Sequence, residues 1–100
     1  MLRMSSLREA AEFLRVLSHP CRLRIVEMLL GGEYCVGELA DSCEVPSHVA
    51  SEHLRLMQHC GLLDSKRDGR KTFYFVVDDY LHDLMSVVRS RYEGKNESIA

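Results

Sequence analysis

A single β-hairpin signal, set inside a chain otherwise patterned for helices, places the strongest limit on what this sequence can fold into. Two β-prone runs, residues 62–67 and 72–77, flank Asp68-Gly69, a pair favoured in tight turns between paired strands. The rest of the chain carries helical period. Leu7, Ala10, Ala11, Leu14 and Leu17 recur on one face, and Ser6 followed by Glu9 has capping-box spacing, which predicts a first helix over 6–18. Pro20 suits the opening of a second helix that turns Leu23, Val26, Leu29 and Leu30 inward and ends at Gly31-Gly32. After the extended pair Tyr34-Cys35, residues 36–43 read as a brief third helix. Glu44-Val45-Pro46 reads as a turn, and Ser47 as the N-cap of a fourth helix that stops at Gly61. Asp78 or Asp79 caps a fifth helix with Leu81, Leu84, Met85, Val88 and Tyr92 on one stripe. Arg89 and Arg91 lie in its last turn, and Gly94 follows. Residues 95–100 read as a flexible, frayed C-terminal tail. The expectation is one α+β, mostly α domain over 1–94.

One hundred residues leave no room for two cores, and 46% hydrophobic with 28% charged residues is a globular composition. A chain this short buries only about two thirds of its unfolded surface, which favours association. The first and fifth helices carry long apolar stripes beyond what one core needs. They predict a symmetric homodimer joined through those two helices, the alternative being that both ends fold back on the same monomer. No apolar run approaches the roughly 20 residues of a membrane span, and the N-terminus has no signal-peptide pattern. A soluble, cytoplasmic protein without a membrane partner is expected. Cys21, Cys35, Cys43 and Cys60 contain no CxxC pair and read as free thiols in a reducing compartment.

The formal net charge is −2, so any surface for nucleic acid must be local. On a helical wheel, residues 47–60 divide into two arcs. Val49, Ala50, His53, Leu54, Leu56, Met57 and Cys60 fall on one, and His53 there reads as a packed, hydrogen-bonded core histidine. Ser47, His48, Ser51, Glu52, Arg55, Gln58 and His59 fall on the other, rich in hydrogen-bond donors. A short helix, a tight turn and such a second helix make a helix-turn-helix, whose second helix fits a major groove about 12 Å wide. Ser47, His48, Ser51 and Arg55 are the expected contacts with bases or phosphates, Arg55 being suited to bidentate contact with guanine. Lys66, Arg67, Arg70 and Lys71 then cluster around the hairpin turn, where a basic wing would grip phosphates or the minor groove. Residues 47–71 hold five basic and three acidic side chains, +2 within a chain of −2. The architecture is a winged helix-turn-helix of about five helices and a two-stranded wing.

These residues resemble the ArsR/SmtB family of bacterial winged-helix repressors, from about Leu7 to Tyr92. His19-Pro20-Cys21-Arg22-Leu23-Arg24-Ile25-Val26 is similar to that family's second-helix opening. Ala50-Ser51-Glu52-His53-Leu54, Leu56 and Cys60-Gly61-Leu62-Leu63 resemble its recognition helix, and Arg67-Asp68-Gly69-Arg70 with Tyr74 resembles its wing. The resemblance implies a homodimeric repressor on an inverted-repeat operator, released by a metal, metalloid or thiol-reactive signal. It departs from the family at the sensing motifs. The metalloid motif Glu-Leu-Cys-Val-Cys-Asp-Leu is here Glu33-Tyr34-Cys35-Val36-Gly37-Glu38-Leu39, one cysteine short, whereas trivalent arsenic needs about three converging thiolates. Cys43, eight residues further along a helix, would lie roughly 12 Å from Cys35. At the family's fifth-helix zinc site Asp78 matches, but Tyr80, Arg91 and Gly94 replace the other ligands.

Cys35 is therefore the sensing candidate, a metal or thiol ligand whose partner must come from elsewhere. Cys60 reads as a small core residue, Cys43 as exposed and inert, and Cys21 as a packed residue at a helix start where a dipole lowers thiol pKa. No nucleophile–base motif, phosphate loop or metal quartet points to catalysis. Two other readings stand beside the repressor: a thiol-based redox regulator of the same fold, and a winged-helix protein-interaction module that never touches DNA.

Overall fold

The computed structural model describes residues 1–94. It places five helices, α1 (Met4–Leu17), α2 (Pro20–Gly31), α3 (Val36–Cys43), α4 (Ser47–His59) and α5 (Tyr80–Tyr92). The strands β1 (Leu63–Asp68) and β2 (Lys71–Val76) lie between α4 and α5 and pair antiparallel. The tail expected over 95–100 lies outside the described residues.

Helix α2 is the hub. It packs against α1, α3, α4, α5 and β2. Pro20 fixes its first turn, and the orphan amide of Cys21 is satisfied by His19 Nδ1 at 3.0 Å. Ile25 and Val26 are buried at its centre, meeting Leu39 of α3, Leu54 and Met57 of α4, Leu62 and Leu63 at the wing base, and Leu81 and Met85 of α5. Ile25, absent from the predicted inward set, is fully buried because α2 has neighbours on several sides. No polar or charged residue is buried among those described.

Three local readings are corrected. Helix α1 starts at Met4, with Arg3 before it, and the Ser6–Glu9 capping box does not form: the Leu7 amide already donates to the Arg3 carbonyl at 3.1 Å, which leaves Ser6 inside the helix. Ser47 is the first helical residue of α4 and not its N-cap. Pro46 holds the cap position, its carbonyl accepting from Val49 and Ala50 at 3.0 and 3.2 Å. The hairpin loop is Gly69-Arg70, one residue later than the Asp68-Gly69 reading, with Asp68 paired to Lys71. Gly69 takes φ 63°, the first loop position that a type II′ turn reserves for glycine.

Candidate nucleic-acid interface

The helix-turn-helix is held by the same device at both of its exits. After α3, Glu44 adopts a left-handed conformation, its amide donates to Asp41 at 3.1 Å, and the Val45 amide reaches back to Ala40 at 3.1 Å. After α4, Gly61 does the same with Gln58 at 3.0 Å, and Leu62 with Met57 at 3.0 Å. Both are Schellman closures, which satisfy the last carbonyls of a helix while turning the chain sharply. The first aims α4 away from α3, and the second sends the chain directly into the wing.

Ala50, Leu54 and Met57 are buried, anchoring one side of α4. Ser47, His48, Glu52, Arg55 and His59 are exposed and Ser51 is half-buried, so the predicted outer face does face outward. Among the described residues, the side chains of Ser47, His48, Ser51 and Arg55 make no hydrogen bond or ion pair, which leaves their donors available to a ligand. Gln58 is engaged within the fold. Its Nε2 donates to Asp64 Oδ1 and Ser65 Oγ, both at 3.3 Å, tying α4 to β1. Cys60 is corrected from a core residue to an exposed one. Its amide still donates to the Leu56 carbonyl at 3.0 Å, so it keeps its place on the arc, but Leu56 is exposed as well, and this edge of the arc is left uncovered by the described residues.

All four wing cations are exposed, but the strand pleat separates them. Lys66 opposes Phe73, and Lys71 opposes Asp68, on the face that also carries Asp64 and Phe75. Arg67 opposes Thr72 on the other face, with Ser65 and the core-facing Leu63. Arg70 is in the loop itself. Lys66 Nζ lies 3.9 Å from Glu33, an exposed pair of small energetic weight. Lys71 and Arg70 line a cavity of about 310 Å³ together with Cys35, Val36, Gly37 and Thr72. There Glu38 accepts from the Cys35 amide at 3.0 Å, and this hydrogen bonding, with help from Lys71, holds its carboxyl below the ordinary value.

Behind α4 lies a polar joint that local sequence patterning does not reveal. Arg22 donates through Nε to His53 Nδ1 at 3.1 Å and through a terminal nitrogen to the Val16 carbonyl at 3.0 Å. The His53 ring stands 4.5 Å from that of His19, tilted by 48°. One guanidinium thus links the end of α1, the start of α2 and the middle of α4. His53 is half-buried and hydrogen-bonded, as its place on the apolar arc predicts. Burial first, and then the charges of His19 and Arg22, hold its pKa below the ordinary 6.5, while Glu52 acts in the opposite direction. Arg22 and His53 are 31 residues apart, so no periodicity could have paired them.

Within one chain, the donors of the described residues do not fit a metal. Among the described residues no three His, Cys, Asp or Glu side chains converge. Cys35 has cations and not thiols for neighbours, and His82 and Asp83 are exposed on α5. Cys43 is corrected from an exposed, inert residue: it is half-buried and its thiol donates to the Cys21 carbonyl at 3.5 Å.

The profile described as "Bacterial regulatory protein, arsR family" matches residues 19–65, the stretch from the start of α2 into the wing. Over 76 residues the chain is 37% identical to the HTH-type transcriptional repressor SmtB of Mycobacterium tuberculosis, covering 76% of this chain but 56% of that protein. The chain therefore spans just over half the length of that relative. It is 32% identical to the HTH-type transcriptional regulator YgaV of Escherichia coli strain K12, covering 88% of this chain and 90% of YgaV. In structure it resembles NolR from Sinorhizobium fredii, with a TM-score of 0.81 at 26% identity over 89% of each chain. With its five helices and two-stranded wing, the chain belongs to the ArsR family of winged-helix bacterial regulatory proteins.

Proposed function

We propose that this protein is a non-enzymatic, DNA-binding transcriptional repressor that grips an inverted-repeat operator as a homodimer in the cytoplasm. The observation that carries this reading is the outward face of α4. Ser47, His48, Ser51 and Arg55 present unengaged donors beside an exposed basic wing, in a chain of net negative charge. In each subunit α4 enters a major groove, with Arg55 reading guanine and the N-terminal residues fixing register. Lys66, Arg67, Arg70 and Lys71 hold flanking phosphates. Two copies joined through α1 and α5 would set the two α4 helices about one helical turn apart. The exposed apolar side chains of those helices, including Leu7, Leu14 and Val87, support that pairing.

Fluorescence anisotropy with DNA from upstream of the protein's own coding sequence tests the reading. Saturable binding that outlasts competition by unrelated duplex is the expected result. Binding equal for every sequence overturns it, and absent binding overturns it and favours the protein-interaction module. Release by a thiol-reactive signal is part of the proposal, supported by four free thiols in one small domain. A metal or metalloid acting through Cys35 needs donors from a second chain. Titration of the DNA complex with cadmium or arsenite, against Cys35→Ser, reads that arm.

A further inference from the structure

Two thiols that DNA contact leaves unused meet where the helix-turn-helix joins α2. Cys21 is the second residue of α2 and 5% exposed, and Cys43 is the last residue of α3. Across 22 residues of sequence, the Cys43 thiol donates to the Cys21 carbonyl at 3.5 Å. Both cysteines line a cavity of about 170 Å³ with Pro20, Arg24, Ser42 and Glu44, which gives a small solute a route to them. Burial, followed by the Cys21 sulfur itself, pushes the Cys43 thiol up to about 12, so Cys43 keeps its proton at neutral pH. Cys35 and Cys60 have no such neighbour: their cavities bring them cations and carboxylates respectively.

We propose that Cys21 and Cys43 form a dithiol oxidation site, which hydroperoxides close into an intrachain disulfide joining the first turn of α2 to the last turn of α3. The Cys21 thiolate attacks one oxygen of hydrogen peroxide and the O–O bond breaks. The departing hydroxide takes up the proton that Cys21 released, leaving a sulfenic acid and one water. The Cys43 sulfur then attacks the sulfenyl sulfur, the S–O bond breaks, and the departing hydroxide takes the Cys43 proton as a second water. Two thiols are oxidised by two electrons in all, and one peroxide is reduced to two waters. To reach a sulfur–sulfur distance of about 2.05 Å, Cys43 must leave its hydrogen bond to the Cys21 carbonyl. Only the three-residue turn Glu44–Pro46 separates Cys43 from α4, so this shift is passed to Ser47 and the groove-facing side chains. That last step rests on the proposed DNA-binding function; the disulfide does not.

The test treats the whole protein with hydrogen peroxide, alkylates the remaining thiols and maps disulfides by peptide mass. The double variant Cys35→Ser/Cys60→Ser, which keeps only this pair, is treated alike. Both proteins are expected to lose two hydrogens in mass and to yield one cross-linked peptide pair containing Cys21 and Cys43, reversible by dithiothreitol. Adding Cys43→Ala should abolish the cross-link. Free, alkylatable Cys21 and Cys43 after treatment overturn the site, as does a bond formed only between chains or oxidation confined to Cys35 and Cys60. Operator affinity of the oxidised double variant should fall by about fivefold or more and recover on reduction. An unchanged affinity overturns the transmission to α4. Protein that forms the disulfide yet never binds operator DNA overturns the DNA-binding function while keeping the site.

Discussion

At the scale of single residues, Arg55 and His53 mark the two sides of α4. Arg55 is exposed with unengaged donors, so its replacement by alanine removes little from the free protein. Arg55→Ala should weaken operator binding by about 1–3 kcal/mol and relax base preference at one position per half-site, read by anisotropy against single-base operator variants. His53 faces the other way, accepting from Arg22 with a pKa held below 6.5. The unfolded chain takes up that proton more readily than the folded one. Stability contributed by neutral His53 is therefore complete above about 6.5 and is lost as pH falls from there through the lowered value. Calorimetric Tm should drop between about pH 7 and pH 5. His53→Gln, whose amide oxygen can still accept from Arg22, should show a shallower drop, and an equal slope in both proteins would refute the assignment.

Elements depend on the turns between them. The exit from α3 places Glu44 at φ 58°, where a Cβ is strained and glycine is not. Glu44→Gly should raise stability by about 1 kcal/mol in urea unfolding with an unchanged slope, while helix content stays constant. The exit from α4 already has Gly61 at φ 82°, so no comparable gain exists there. In the proposed function the wing would act by charge and not by shape readout. Arg70→Ala and Lys71→Ala should each weaken binding to all duplexes alike and reduce the salt slope by about 1. If either variant altered base preference instead, that cation would belong to the reading face.

For the whole molecule, α1 is the telling element. It has fourteen residues, yet Leu17 is its only buried one, and Met4, Leu7 and Leu14 stand 61%, 42% and 52% exposed. The alternative in which both chain ends fold back on one monomer would have buried that stripe. A large apolar face left uncovered on a small chain is best satisfied by a second copy. Sedimentation velocity at micromolar concentration should show a dimer, and Leu14→Glu should shift it towards monomer with a parallel loss of operator affinity. A monomeric wild type that still binds the full inverted repeat would overturn the pairing.

Much of this was legible in the chain alone, and the legible part shares a physical cause. Helical period, Pro20, Gly61 and the Asp68-Gly69 neighbourhood are local signals, so they specified element order, the outward face of α4 and the basic wing. Boundaries moved by one to three residues, because a cap is decided by which backbone carbonyl accepts first, as Arg3 and Pro46 show. Long-range pairings were invisible. Arg22 meeting His53, Gln58 bridging to Asp64 and Ser65, and Cys43 reaching Cys21 all depend on how helices stack. Cys60 was misplaced for a related reason, since which edge of the apolar arc of α4 is covered, and that Leu56 and Cys60 are left out, depends on how its neighbours pack. Local patterning by itself determined that this chain would be a winged helix with a donor-rich, cationic edge. Only tertiary packing decided which polar side chains brace that edge and which thiols lie within reach of each other, because contacts across a core carry no period along the chain.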